Sequence, residues 1–149
     1  NLTELCILCG EDYNEISKEE NYVKIEVLAH SLLSDTTKTV IVTGIKHNGK
    51  IKTLTVEKDR IHTTNHKLLN GSYSGTGDIF SSIVCGGVTK GMDIFDAVSL
   101  ATNFIYISIM DTPTTLDYEP QGVHFQKHLE MLINEKKGIT IQKNIYCRI

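Results

Sequence analysis

The chain has 149 residues, enough for a single domain with a real core, and is 40% hydrophobic, 22% charged and 7% aromatic, with no tryptophan. A formal charge of −3 at neutral pH gives no electrostatic case for binding nucleic acid or an anionic membrane. No apolar run approaches the roughly 18 residues that a membrane-spanning helix needs, and no signal-peptide pattern opens the chain.

The first ten residues, NLTELCILCG, put Leu2, Leu5 and Leu8 with Cys9 on one face and stop at Gly10, which predicts a short helix. The chain starts at Asn1, without an initiator methionine and at a helix entry, as a fragment would. Cys6 and Cys9 form a C-x-x-C, but no second pair completes a zinc site, and their spacing is that of the helix's apolar face. With Cys85 and Cys147 they read as structural thiols of a cytoplasmic protein.

EDYNEISKEEN reads as a polar connection. A second helix follows, with Tyr22, Ile25, Leu28, Ala29 and Leu32 at helical spacing, Ser17 as cap and Glu20 completing a capping box. KTVIVTGI is β-branched and too short for a helix, so it predicts a buried strand. Asn48-Gly49 marks a hairpin into KIKTLTVEK, an alternating and half-exposed strand, and DRIHTTNHKL supplies an edge strand. Two helices are expected next, from about Asp78 to Lys90 and from Asp93 or Ile94 to Met110, with Gly91 as the stop between them. Pro113 and Pro120 bracket a loop, GVHFQKHLEMLINEKK reads as an amphipathic helix, and GITIQKNIYCRI as a terminal strand or tail. Helices alternating with buried strands, with neither repeats nor a second domain, give an α/β class.

Gly75-Thr76-Gly77-Asp78 is where chemistry concentrates. Glycines allow positive φ and close approach of a ligand to the backbone. The unpaired amides and the dipole at a helix start favour an anion such as phosphate. A carboxylate beside phosphate is repelled, so Asp78 makes sense as the acceptor of a proton from an attacking hydroxyl. The same four residues also suit an ordinary N-cap after a glycine turn.

Taken with the long helix pair behind it, and with NLTELCILCG followed by TVIVTGI, this motif closely resembles the C-terminal half of pyridoxal kinases, members of the ribokinase-like (PfkB) superfamily. The resemblance implies a three-layer α/β/α sandwich, of which residues 1–149 carry the ATP-binding and anion-hole part while the N-terminal part is absent. It implies that Asp78 is the general base and that Gly75, Thr76 and Gly77 form the anion hole. It makes Asn1 and Glu4, the ends of an Asn-x-x-Glu, supports of Mg²⁺ and the phosphates through water. Thr43, at the end of the VIVTG strand, and Gly44 would lie near the nucleotide phosphates, and Leu100, Thr102 and Asn103 would wall the adenine pocket. Helix capping, a Thr-Gly turn and core packing account for these residues equally well when each is read alone.

The activity so implied is ATP-dependent phosphorylation of the 5′-hydroxymethyl group of pyridoxal, pyridoxine or pyridoxamine, with Mg²⁺, a monovalent cation such as K⁺, and a homodimeric full-length parent. Hydroxymethylpyrimidine kinases are similar but commonly carry cysteine where Asp78 stands. A sugar kinase of the superfamily and a non-catalytic nucleotide-binding fragment are the further alternatives. HTTNHKLLNGSYS, before the motif, departs from the family pattern and leaves substrate identity open. His62 and His66, and His124 and His128, have H-x3-H spacing without a third ligand and read as solvated histidines.

Overall fold

The computed structural model describes residues 1–71, 73–113 and 122–133. The chain divides into two compact units, Asn1–Leu68 and Leu69–Ile149.

In the first unit, α1 (Leu2–Cys9) begins at Asn1, whose side chain accepts from the Glu4 amide, and ends at Gly10 in a left-handed conformation, φ 72°. Residues expected as a polar connection instead form a single turn, α2 (Tyr13–Ile16). Asp12 caps it through the Asn14 amide, and Ile16 anchors it in the core at 2% exposure. Ser17 therefore terminates α2 rather than starting the next helix. A 3₁₀ turn, Glu19–Asn21, leads into α3 (Tyr22–Ser31), so the expected capping box of Ser17 and Glu20 does not form. The spacing of Ile25 and Ala29 does hold, and both are buried.

Three strands follow as an antiparallel meander in the order β1 (Thr39–His47), β2 (Lys50–Glu57) and β3 (Ile61–Lys67). Asn48 and Gly49, both at positive φ (50° and 66°), make the tight turn between β1 and β2. β2 is central, and Thr53, Leu54, Thr55 and Val56 are all buried, which corrects the half-exposed strand expected from its alternation. Thr53 and Thr55, on the face opposite Leu54 and Val56, are buried along with those aliphatics.

β1 carries one irregularity. Val42 pairs with Leu54 and Ile45 with Lys52, so Thr43 and Gly44 together oppose Thr53. The helices pack on one face of this sheet. Leu2, Leu5, Cys6, Ile16, Ile25 and Ala29 meet Val42, Ile45, Leu54 and Val56 in one cluster. Burial, with smaller contributions from Cys9, Glu11 and Asp12, pushes the Cys6 thiol up, and the Cys9 sulfur lies 3.8 Å from the Leu28 carbonyl. Both behave as the structural thiols expected.

The second unit is built on α4 (Thr76–Thr89) and α5 (Ile94–Met110). Gly91, at φ 86°, and the Met92 amide, bonded to the Gly87 carbonyl, turn the chain between them. Asp93 caps α5 through the Phe95 amide at 2.9 Å. Where the two helices meet, a Cβ on Gly87 would come within 3.2 Å of the Ala97 methyl, so only glycine lets them pack this closely. The last amphipathic stretch is broken among the described residues into a 3₁₀ turn, Gln126–His128, and a short α6 (Glu130–Ile133). The loop ending at Pro120, the tail GITIQKNIYCRI and Cys147 lie outside the described residues. No helix among the described residues is long and apolar enough to cross a membrane.

Two predictions follow from the sheet. No described strand pairs with the outer edge of β1, whose sequence TVIVTGIKH is apolar, whereas β3 on the other edge is polar. An apolar open edge templates further pairing. The isolated chain should therefore self-associate in light scattering, and Ile41→Lys should shift it toward monomer; an unchanged mass would place the association elsewhere.

The second concerns His66, whose pKa burial lowers below the ordinary histidine value. The unfolded chain then takes up this proton at a higher pH than the folded one. Stability should fall as the pH drops below about 6.5, and His66→Gln should flatten that slope in urea titrations at pH 5.5 and 7.5.

Candidate active site

The head of α4 has the form of an anion site. Gly75 is the N-cap in a left-handed conformation, φ 79°, and has no side chain with which to cap the first amides. The first helical bond runs from the Ile79 amide to the Gly75 carbonyl at 3.1 Å. The amides of Thr76, Gly77 and Asp78 therefore lie in the turn that lacks intrahelical partners. By contrast, α1 and α5 are closed by Asn1 and Asp93.

Thr76 is fixed by its hydroxyl, which donates to the Tyr73 carbonyl at 3.1 Å. Tyr73 in turn donates to the Asn70 carbonyl, and its ring lies over Gly71 so closely that a Cβ there would be 3.0 Å away. Gly71, at φ 112°, is thus required by both conformation and space. The three glycines divide the work. Gly71 and Gly75 turn the chain, while Gly77 has no positive φ and would meet nothing within 4 Å if it carried a Cβ. Gly77 leaves open space beside the amides and makes no turn. Asp78 stands exposed in the same first turn.

α5 carries Leu100, Thr102 and Asn103, all buried. Thr102 spends its hydroxyl on the Val98 and Ser99 carbonyls at 3.0 and 3.1 Å, inside its own helix. Asn103 is 3% exposed and its amide nitrogen has no partner among the described residues. Thr89 and Ile94 sit at the joined ends of the helix pair. At 1.5 Å per residue Thr76 lies about 20 Å along α4 from that junction, and Asn103 about 14 Å along α5. Asn103 is therefore nearer the level of the glycine turn than Leu100. Leu100 instead lines a cavity of about 220 Å³ with Ser82, Ile83, Gly86, Met92 and Leu132, toward the far end of α4.

In the first unit, Thr43 lies inside β1 rather than at its end. The strand runs on to His47 because the irregularity at Thr43 and Gly44 (φ 75°) absorbs the extra residue. Asn1 and Glu4 form a reciprocal capping box. The Glu4 amide donates to Asn1 Oδ1 at 3.1 Å, Asn1 Nδ2 donates to Glu4 Oε1 at 2.9 Å, and the Asn1 amine meets Glu4 Oε2. Both residues are exposed, and both offer oxygen, the donor type that Mg²⁺ takes. They fit a water-mediated hold on the ion but not a cage of its own. Among the described residues no group of three His, Cys, Asp or Glu side chains could hold a metal.

His128 was not foreseen as a structural residue. Its side chain is 16% exposed and its Nε2 lies 3.1 Å from Asp111 at the end of α5. The adjacent Thr112 donates to the Ser108 carbonyl and accepts from the His124 amide, which ties this segment to the helix. The signal, an acid just past a helix end and a histidine 17 positions later, is not readable without the intervening path.

A model of the phosphomethylpyrimidine kinase family matches residues 1–122. The chain belongs to that family. Among solved structures it is similar to a protein of Bacteroides thetaiotaomicron provisionally named a phosphomethylpyrimidine kinase, at 27% identity and TM-score 0.77 over 89% of this chain and 46% of that one. A second crystal form of that protein, with pyridoxal, matches at 25% identity and TM-score 0.73, over 91% of this chain and 47% of that one. An ADP complex of Bacillus subtilis pyridoxal kinase matches at 22% identity and TM-score 0.67, over 87% of this chain and 49% of that one. The chain thus spans about half the length of the kinases it matches, and its fold, a three-stranded antiparallel sheet with helices, is that of the ribokinase-like kinases.

The two conformations of the glycine turn give a prediction. Gly75→Ala should cost about 1–2 kcal/mol in denaturant unfolding, because alanine is strained at positive φ. Gly77→Ala, in a helical position with open space, should leave stability unchanged or raise it by about 0.5–1 kcal/mol. Equal losses at both positions would contradict the division of roles.

Proposed function

We propose that a full-length protein carrying these 149 residues is an ATP-dependent kinase that phosphorylates the 5′-hydroxymethyl group of pyridoxal, pyridoxine or pyridoxamine. The observation that carries the reading is the exposed Asp78 in the first turn of a helix whose start is left open by Gly75. Family membership supports phosphoryl transfer as the reaction class.

In this reading the amides of Gly75 to Asp78 bind the transferring phosphoryl group and stabilise its charge. Asp78 accepts the proton of the attacking hydroxyl. Asn103 donates its free amide to the nucleotide base, with Leu100 and Thr102 as apolar and structural neighbours on the same helix. Thr43 and Gly44 approach the nucleotide phosphates. Asn1 and Glu4 hold a hydrated Mg²⁺, which when bound neutralises phosphate charge, and K⁺ is a further cation. The protein acts in the cytoplasm, and its full-length form is a homodimer. Residues 1–149 supply the nucleotide and anion side of one kinase domain, with the vitamin side contributed by the remainder.

Hydroxymethylpyrimidine or its phosphate is the second acceptor to consider, because the matching family and the Bacteroides protein carry that name. Asp78 favours the B6 reading, since the similar pyrimidine kinases commonly carry cysteine at that place. The Bacteroides protein was itself crystallised with pyridoxal. A panel of both acceptors with the full-length protein decides between them. Turnover with hydroxymethylpyrimidine alone would overturn the B6 assignment.

Asp78→Asn in the full-length protein should lower turnover by about 10²–10⁴-fold with little change in nucleotide affinity, because only the proton acceptor is lost. Near-normal turnover would remove Asp78 from the role of base.

A further inference from the structure

One end of the sheet in the first unit carries a concentration of positive charge that the proposed kinase chemistry does not use. Residues 36–56 include Lys38, Lys46, Lys50 and Lys52 without any carboxylate, in a chain whose net charge is −3. The strand register sorts these lysines. His47 pairs with Lys50, and Lys50 pairs directly with Lys67 across β2 and β3. Directly paired residues project from the same face, so His47, Lys50 and Lys67 form one row across the sheet. Two residues along, Lys52 joins them on that face.

Like charges directly opposite each other destabilise a sheet. Here the arrangement is backed by an ordered base. The Lys52 ammonium lies 4.0 Å from the centroid of the Tyr22 ring, and the His47 ring lies 4.6 Å from it on centroids. The Tyr22 hydroxyl contacts Thr63 on β3 at 3.4 Å. Lys52 and His47 are thereby held beside Lys50 and Lys67, which are exposed. The imidazole Nδ1 is enclosed and has no hydrogen-bond partner among the described residues. The Glu19 carboxylate also reaches this end of the sheet, accepting from the Asn48 amide at 2.9 Å, and offsets one positive charge. Lys46 pairs with Ile51 and belongs to the opposite face.

We propose that the His47–Lys50–Lys67 row, with Lys52 beside it, is a binding site for a small oligophosphate anion. Three ammonium groups against one carboxylate leave about two positive charges, which suits a compact anion of several negative charges. A nucleic acid would need a basic stripe far longer than this, on a chain that is acidic overall. The site lies on the helix-bearing face of the sheet, and it stands whether or not the nucleotide reading above is correct.

The test is calorimetric titration of the 149-residue chain with sodium tripolyphosphate at low ionic strength, with ATP and a short RNA as separate arms. Lys50→Glu should weaken tripolyphosphate binding by about tenfold or more, and 0.3 M salt should weaken the wild type similarly. Without ligand, Lys50→Glu should melt roughly 2–4 °C higher than wild type, because it turns a like-charge pair into an opposite one. That rise separates lost binding from lost folding. Lys46→Glu, on the other face, is the control and should leave binding within about twofold. No tripolyphosphate binding by the wild type, equal loss in Lys46→Glu, or tighter binding of RNA than of tripolyphosphate would each overturn the proposal. ATP binding that survives Lys50→Glu while tripolyphosphate binding is lost would leave the nucleotide reading intact.

Discussion

Val42 and Ile45 are three residues apart on one strand, yet both are buried in the same helix-side core at 2% and 1% exposure. In a regular strand residues three apart point to opposite faces. The extra residue at Thr43 and Gly44 resolves the conflict, because two positions there oppose the single Thr53 and the alternation is reset. Gly44 takes the left-handed conformation that this local geometry needs. Without the reset, either Val42 or Ile45 would leave the cluster with Leu54 and Val56, and the contact of α1 and α3 with the sheet would lose a side chain of about 1.5–3 kcal/mol burial value. It is also the point at which the strand brings a threonine and a glycine out of the regular ladder. A packing requirement and a candidate ligand contact thus share the same two residues.

The other candidate groups show the same double use. Asn1 and Glu4 satisfy the open amides of α1 as a capping box, and they still present oxygens to solvent. Capping explains their type and spacing fully, so any role toward a cation adds to a structural one. Gly75 is different. A serine, threonine or aspartate at that position would cap α4 and close its first turn. Glycine leaves the turn open, and the aspartate that would ordinarily serve as a cap sits three residues further on, at Asp78. Sacrificing a stabilising cap at the start of a 14-residue helix is consistent with a site that must receive an external anion.

α5 contributes burial and, among the described residues, one unmet hydrogen-bond donor. From Ala97 to Phe104 every residue is buried, so a polar side chain in this stretch needs a partner. Thr102, and the buried Ser108 beyond the stretch, find theirs in carbonyls of their own helix. The Asn103 amide nitrogen makes no such bond and has no partner among the described residues.

The sequence alone determined the elements whose signals are local. The Gly10 stop, the Asn48-Gly49 turn and the helix pair around Gly91 follow from backbone preferences of single residues, and the structure has them where they were expected. The glycine-aspartate turn at the head of α4 was legible for the same reason, as a short motif whose parts are contiguous. Tertiary structure decided what depends on neighbours distant in sequence. Ser17 became the end of one helix instead of the start of another, because burial of Ile16 gave α2 a reason to form. β2 reads as half-exposed by alternation but is central and enclosed, since strand order is not written in any one strand. Gly77 and Gly75 look alike in sequence, and only the backbone conformation separates a turn from an open approach. The pairing of Lys50 with Lys67 and of His128 with Asp111 likewise required the register and the chain path, because partners 17 positions apart leave no local trace of either contact.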